Sequence, residues 1–362
     1  MKALQIIQPE KIILTDIPQP EAQPDEVLVK IQYAGFCGSD MNTWLGKNAL
    51  AKMPVIPGHE IGGMIETVGE KVPLKIIPGM SCTVNPYKAC GNCTACRNGR
   101  PNACRFNQTL GVQRDGAMRE YMAVPWNKII VDKDLSPQDF SLVEPVSVGF
   151  HAVNRGMITG YDTVMVLGCG MIGVGVIIGS VLRGAKLIAV DVDDDKLLLA
   201  KRLGAAYTIN AKTENVHDRL QVITGGDGPD VVIEAIGTPE TYQLAVNEVA
   251  FSGRVVYIGY AKDLVAFESN FFVKKEINIY GSRNAMPEDF SAVIDYMKKG
   301  TFPKQEIISG VFPMETAQEA LEKWYANPGP VFRILIDFYS NNSFKSISRP
   351  SKIPTGTLPE NT

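Results

Sequence analysis

The chain has 362 residues, 45% of them hydrophobic and 21% charged, an ordinary balance for a soluble globular protein that can bury a sizeable core. Its length suggests two domains. A formal charge of −3 offers no basic surface for nucleic acid or for an acidic membrane. No apolar run approaches the ~20 residues that span a bilayer, and Met1–Ile7 is too short an apolar stretch for a signal peptide. The expected location is therefore the cytosol.

Met1–Ile7 reads as a first strand. Residues 1 to about 150 are rich in Gly, Pro and short β-branched runs, such as Glu26–Ile31 and Ile61–Val68, with closely spaced turn signals. This is the texture of a barrel-like all-β domain. From about residue 151 the pattern changes. Thr163–Leu167 is a short apolar run fit for a strand buried on both faces. A glycine turn follows it, then an apolar stretch from Met171 to Leu182 of helical length. Further strands are expected at Leu187–Asp191, Asp230–Glu234, Arg254–Ile258 and Ile277–Tyr280. Strands alternating with helices predict a parallel, doubly wound α/β sheet. Pro287–Gly300 reads as a helix and Val331–Phe338 as a closing strand. The Ser-, Pro- and Asn-rich tail over 339–362 holds too little apolar surface to order itself.

Four of the seven cysteines lie within fifteen residues. Cys90, Cys93, Cys96 and Cys104 follow C-x2-C-x2-C-x7-C, a spacing that supplies four thiolates to a tetrahedral zinc from a single loop. Two disulfides, free thiols or an iron–sulfur cluster are the competing readings. With all four positions filled by protein, such a zinc would hold the fold and do no chemistry. The turn Gly168-Cys169-Gly170-Met171-Ile172-Gly173 follows a strand and opens a helix, the context a dinucleotide site requires. Its first glycine makes the turn, its second admits the pyrophosphate, its third lets helix and strand close up, and the helix N-terminus faces the phosphates. Asp191 ends the next strand, eighteen residues past Gly173. A carboxylate there accepts from both ribose hydroxyls and repels a 2′-phosphate, which favours NAD over NADP.

Three weaker signals are Cys37-Gly38-Ser39-Asp40, Gly58-His59-Glu60 and Glu144-Pro145. Each alone has a bland explanation, such as a satisfied structural histidine. Taken in order with the cysteine cluster and the glycine turn, they resemble the zinc-containing medium-chain dehydrogenases over residues 1 to about 338. The nearer resemblance is to the sorbitol, threonine and sugar-acid branch, and Gly281–Ala285 is similar to a segment of the aldonate 5-dehydrogenases that act on L-galactonate or L-gulonate.

The resemblance implies Cys37 and His59 as catalytic-zinc ligands, Glu144 as the third, and Glu60 as a glutamate that binds zinc directly or through water. It implies Asp40 as the group that orients the ligand histidine and Ser39 as the hydroxyl that takes the alcohol proton. It places Arg333 at the cofactor phosphates, with a plain surface arginine as the alternative, and Arg283 near the substrate, where a sugar-acid carboxylate would suit its guanidinium. Where relatives often carry a relay histidine, this chain has Asn42, so the proton needs another route.

The implied architecture is a GroES-like catalytic domain over 1–150, resumed at 286–338, with a Rossmann domain over 151–285 and the active site between them. The implied activity is zinc-dependent oxidation of a secondary alcohol of a polyol or sugar acid by NAD⁺, in a homodimer or homotetramer. Rival readings are a dehydrogenase of another secondary alcohol, such as threonine or butanediol, and a catalytically silent NAD- and zinc-binding protein. His151, expected to begin a helix, reads as core; His217 as solvated; Cys82 and Cys169 as ordinary small residues.

Overall fold

A computed structural model describes residues 1–339. Two sheets dominate it. In the first, a path of six strands runs Ile308–Pro313, Arg333–Asp337, Glu26–Phe36, Glu60–Val68, Ser81–Val84, Ile129–Val131, and Tyr121–Pro125 adds a seventh on the long strand Glu26–Phe36. That long strand alternates buried and half-buried residues over its centre, as a sheet with one covered face requires. The closing strand Arg333–Asp337 pairs antiparallel with its end, Ile334 opposite Phe36 and Asp337 opposite Tyr33. The C-terminal part of the chain therefore returns to the N-terminal sheet.

The second sheet is parallel, in the order Tyr207–Asn210, Lys186–Asp191, Thr163–Leu167, Val231–Glu234, Arg254–Tyr257, Asn278–Gly281. This is the doubly wound order in which the first strand stands at the centre. Val164, Met165, Val166 and Leu167 are all buried, so side chains on both faces of that strand are covered, as its unbroken apolar run demands. The strand order reverses beside it, and the crevice at the carboxyl ends there is where such sheets bind ligands.

The helices Val143–Arg155 and Met171–Leu182 join the two halves. They meet backbone to backbone at Gly149 and Gly175. A Cβ on Gly149 would stand 2.6 Å from the Ile172 carbonyl oxygen, and one on Gly175 would press on that of Val146. One apolar cluster holds Phe140, Val143 and Val146 together with Met171, Phe290 and Leu335, so residues from both sheets and their helices share a core.

The predicted elements recur with shifted ends. The helix expected over 287–300 is Pro287–Met297, and the closing strand is Arg333–Asp337 rather than 331–338. His151 does not begin a helix: it lies within Val143–Arg155, which also carries Glu144. The tail reading falls almost wholly outside the described residues. Its first residue, Tyr339, has its ring under the Lys30 ammonium at 4.3 Å. Among the described residues no helix is long and apolar enough to cross a membrane.

Candidate active site and metal centres

The four clustered cysteines sit on a lobe whose stem is the antiparallel pair Tyr87–Lys88 and Gln108–Thr109. Their sulfurs all lie within 4.8 Å of one another. Cys93 Sγ is 3.5 Å from Cys96 Sγ and 3.8 Å from Cys104 Sγ. A tetrahedron with Zn–S bonds of about 2.3 Å has edges of about 3.8 Å, whereas a disulfide needs about 2.05 Å. The disulfide reading fails on these separations. Backbone N–H groups of Cys90 and Phe106 donate to Cys104 Sγ at 3.3 Å each. Backbone donors from Cys96 and Arg105 bring the Cys93 thiol down to about 6, while burial and the neighbouring thiols push Cys96 up to about 11. Four thiols this close cannot all ionise without a cation among them, and a zinc ion fits the donor set.

The second cluster is assembled from distant segments. Cys37 caps the helix Gly38–Trp44, and His59 and Glu60 lead into the strand Glu60–Val68. One ligand atom from each of Cys37, His59 and Glu60 lies within 4.8 Å of the others. Burial opposes the Cys37 thiolate, but the hydrogen bond and charge of His59 outweigh it and lower the thiol to about 7. His59 in turn is raised well above its ordinary value, Cys37, Asp40 and Glu144 overcoming its burial. Burial also holds Glu60 and Asp40 above the usual carboxylate range. Ser39 Oγ, His59 Nδ1 and Glu60 Oε1 are buried without a hydrogen-bond partner, and Glu60 Oε2 has an ion pair with Arg333 in place of one. Acids gathered around an imidazole, with polar atoms left unpaired, are what a buried divalent cation would satisfy.

Glu144 does not belong to that compact triad. It is buried beside it, near enough to act electrostatically on His59 and Glu60, and the Tyr87 hydroxyl donates to its Oε1. Asp40 is held by the backbone. Its carboxylate accepts from the backbone N–H of Cys37 at 2.8 Å and of Gly58 at 3.2 Å. It therefore braces the chain beside both Cys37 and His59, while its bearing on the imidazole is electrostatic.

Arg333 requires a correction. It is 4% exposed, with Nε 3.1 Å from Glu60 Oε2 and Nη1 donating to the Phe36 carbonyl. The register of the closing strand against Phe36 brings it beside Glu60, so the reading of a plain surface arginine falls. Arg283 donates to the Cys104 carbonyl at 3.3 Å and has no carboxylate partner among the described residues. Asn42 lies one turn past Ser39, and its carbonyl accepts from Lys262 Nζ at 3.3 Å. His151 is buried, with Nδ1 2.8 Å from Asp289 and Nε2 2.9 Å from the Asn102 amide. His217 is exposed and meets Glu248 at 3.0 Å.

The glycine turn fits a dinucleotide. Gly168 has φ +94°, a left-handed conformation, and a Cβ on Gly173 would run into the Gly168 carbonyl. Gly170 has an ordinary φ of −68° and nothing of the protein within 4 Å of where its Cβ would be. Neither backbone strain nor packing explains that glycine, but an approaching phosphate would. Gly170 caps the helix Met171–Leu182 without a side-chain hydrogen bond, which leaves the N–H groups of Met171, Ile172 and Gly173 facing the turn. Asp191 accepts from the backbone N–H of Cys169 and of Val192, each at 2.7 Å, and from that of Asp193 at 3.1 Å, which fixes its carboxylate beside the turn. Cys169 is buried in the turn.

Sequence reasoning missed Tyr87 and Lys262. Tyr87 lies three residues before Cys90, and that position beside a metal loop was its only signal; Lys262 had none.

Comparison with known proteins agrees with this geometry. Residues 23–134 match the alcohol dehydrogenase GroES-like domain, and residues 172–299 match the zinc-binding dehydrogenase family. The L-galactonate-5-dehydrogenase of Escherichia coli is 32% identical over 93% of this chain and 99% of its own. The sorbitol dehydrogenase of Bacillus subtilis is 30% identical over 89% and 93%. An E. coli alcohol dehydrogenase, solved as a complex with NADH, superposes with a TM-score of 0.86 at 29% identity, covering 93% of this chain and 99% of that one. The chain belongs to the zinc-type medium-chain alcohol dehydrogenases, in their polyol branch, and is an NAD(P)-dependent oxidoreductase of CH–OH groups.

Proposed function

We propose that the protein oxidises a secondary alcohol of a polyol or sugar acid, with NAD⁺ as acceptor and zinc at two sites in each subunit. The observation that carries this reading is the buried Cys37–His59–Glu60 cluster, with the Ser39 hydroxyl unpartnered two residues from Cys37. Cys37, His59 and Glu144 would hold the catalytic zinc, with Glu60 as the exchanging carboxylate, and the four-cysteine lobe would hold the second. When bound, the catalytic zinc supplies Lewis-acid polarisation of the alcohol oxygen and NAD⁺ supplies the hydride acceptor.

This chain's residues do the remainder. Ser39 Oγ takes the alcohol proton while its own hydroxyl proton passes to solvent water. Asn42 lies one turn past it and accepts from Lys262 Nζ. Arg333 offsets the negative charge that Cys37, Asp40, Glu60 and Glu144 concentrate in a buried site. The N–H groups following Gly170 receive the pyrophosphate, and Asp191 takes the ribose hydroxyls and disfavours a 2′-phosphate. The catalytic half is assigned to 1–150 and 286–338, and the cofactor half to 151–285. The sugar-acid reading is supported by the L-galactonate relative and by Arg283, whose guanidinium has no acidic partner among the described residues.

The test is formation of reduced cofactor from NAD⁺ or NADP⁺ against L-galactonate, L-gulonate, sorbitol, threonine and 2,3-butanediol, with and without a zinc chelator. The expected result is chelator-sensitive turnover with NAD⁺ on a sugar acid or polyol. Turnover confined to threonine or butanediol would reject the substrate class. A stable complex of NAD and zinc that turns over none of the panel would favour a silent binder.

A further inference from the structure

Tyr87 is a buried polar group that the scheme above leaves without a task. It lies on the stem of the four-cysteine lobe, three residues before Cys90, and is 6% exposed. Its hydroxyl donates to Glu144 Oε1. A phenol is neutral at neutral pH and a carboxylate only accepts, so the hydroxyl is the donor in this pair.

The rest of the side chain is fixed. The ring packs edge-on against Phe290, with centroids 6.4 Å apart and planes at 73°. The Tyr87 backbone N–H donates to Asn85 Oδ1 at 3.1 Å, and its carbonyl accepts from Lys128 Nζ at 2.7 Å. Glu144 occupies the first turn of its helix, on a segment locked against Met171–Leu182 at Gly149 and Gly175. The backbone at Glu144 is therefore fixed by helix packing. The orientation of its carboxylate is fixed by one hydroxyl, carried on a lobe that a different metal organises. A second contact ties the same two parts: Asn102, two residues before Cys104, donates to His151, two turns along the Glu144 helix.

We infer that Tyr87 is a positioning residue for Glu144, holding one carboxylate oxygen so that the other is presented to the catalytic metal. This rests on the reading of Glu144 as a ligand of that metal. Partners that orient a ligand are commonly worth about 10- to 100-fold in metal affinity or activity. The hydroxyl also keeps Glu144 apart from Glu60, whose carboxylate is drawn to Arg333, so each acid has its own anchor.

Tyr87→Phe removes only the hydroxyl and keeps the ring, its contact with Phe290 and both backbone bonds. The measurement is zinc content and stepwise zinc release to a chromogenic chelator from the full-length holoprotein. The wild type is expected to hold two zinc ions per subunit and to release the catalytic one first. Tyr87→Phe should still hold two at saturating zinc, with the affinity of the first-released ion lowered about 10- to 100-fold and the second unchanged. A general loss of structure would loosen both ions together and overturn the proposal. So would an affinity within twofold of the wild type.

The same change made on Glu144→Gln, which strands no buried charge, keeps the proposal testable if Tyr87→Phe alone is unstable. In that background removal of the hydroxyl should cause no further loss, and a full additional loss would show that it acts elsewhere. If Glu144→Gln itself leaves the affinity of the first-released zinc unchanged, the ligand assignment falls and the proposal with it, a result distinct from failure of Tyr87 alone.

Discussion

The two clusters of candidate metal ligands solve one problem in opposite ways. The four-cysteine lobe draws all its donors from residues 90 to 104, leaves Cys90 exposed and Cys93 and Cys96 half-buried, and holds its thiols with backbone N–H groups. The Cys37 cluster draws on residues far apart in the chain, buries His59, Glu60 and Asp40 almost completely, and leaves several polar atoms unpartnered. A metal in the first would be closed by its own ligands and could act only as a staple. The second is closed by the fold and keeps unsatisfied donors and acceptors, the reserve that a substrate-binding site needs.

Loss of a ligand should therefore act differently at the two sites. Cys37→Ala is expected to drop turnover by about three orders of magnitude or more. It should leave the fold largely intact, because the strand and helix that carry it are packed independently of the metal. Steady-state rates and circular dichroism check this together. Cys93→Ala is expected to lower the melting temperature by more than about 5 °C, at roughly 2–4 °C per kcal/mol lost, because the lobe's short stem cannot hold the loop unaided. Equal thermal losses in the two variants, read by calorimetry, would dissolve the distinction.

A smaller contrast lies within the glycine turn. Gly173→Ala sets a methyl group 2.9 Å from the Gly168 carbonyl carbon, and overpacking of that kind costs about 1–3 kcal/mol. Gly170→Ala meets no protein atom within 4 Å, so stability should be unchanged while NAD binding weakens by about tenfold. Denaturant unfolding and cofactor titration of both variants check the pair. Weakened binding by Gly170→Ala alone would identify the open face as the phosphate site.

These contrasts follow what the sequence made legible. The cysteine lobe and the glycine turn are local: spacing along the chain determines spacing in space, so Cys90 to Cys104 and Gly168 to Gly173 could be read from the residues. The parallel strands were legible because burial on both faces leaves unbroken apolar runs such as Thr163–Leu167. The second cluster was not legible from spacing, because Cys37 meets His59 and Glu60, with Glu144 buried beside them, only through sheet register and helix packing, and a resemblance supplied them. The pairing of Arg333 with Glu60 was hidden for the same reason. The residue type was informative, but its destination depended on the pairing of Ile334 with Phe36. Tyr87 was missed because a tyrosine gives no sign in sequence of the carboxylate it will face.

The least of the expected effects tests whether burial or partners govern a carboxyl group. Glu60, buried in the cluster, is held above its ordinary value. Asp139, on the half-exposed helix Pro137–Phe140, moves the other way. Burial works against its charge, but hydrogen bonds from Lys304, at 2.7 Å, and Ser136 outweigh it and lower the carboxyl below its ordinary 3.8. A folded-state value below the unfolded one means that the ionised carboxylate stabilises the protein above about pH 3.8. That contribution is then lost as the pH falls through the lower folded value. Lys304→Gln should remove the larger hydrogen-bonded part of the shift. The pair is partly exposed and screened, so the cost at neutral pH is about 0.5 kcal/mol and at most about 1. Urea unfolding of wild type and variant at pH 7 and near pH 3 should give curves that differ at the first and converge at the second. A difference that persists unchanged at low pH would mean that Lys304 stabilises through its packed methylenes rather than through the charge of Asp139.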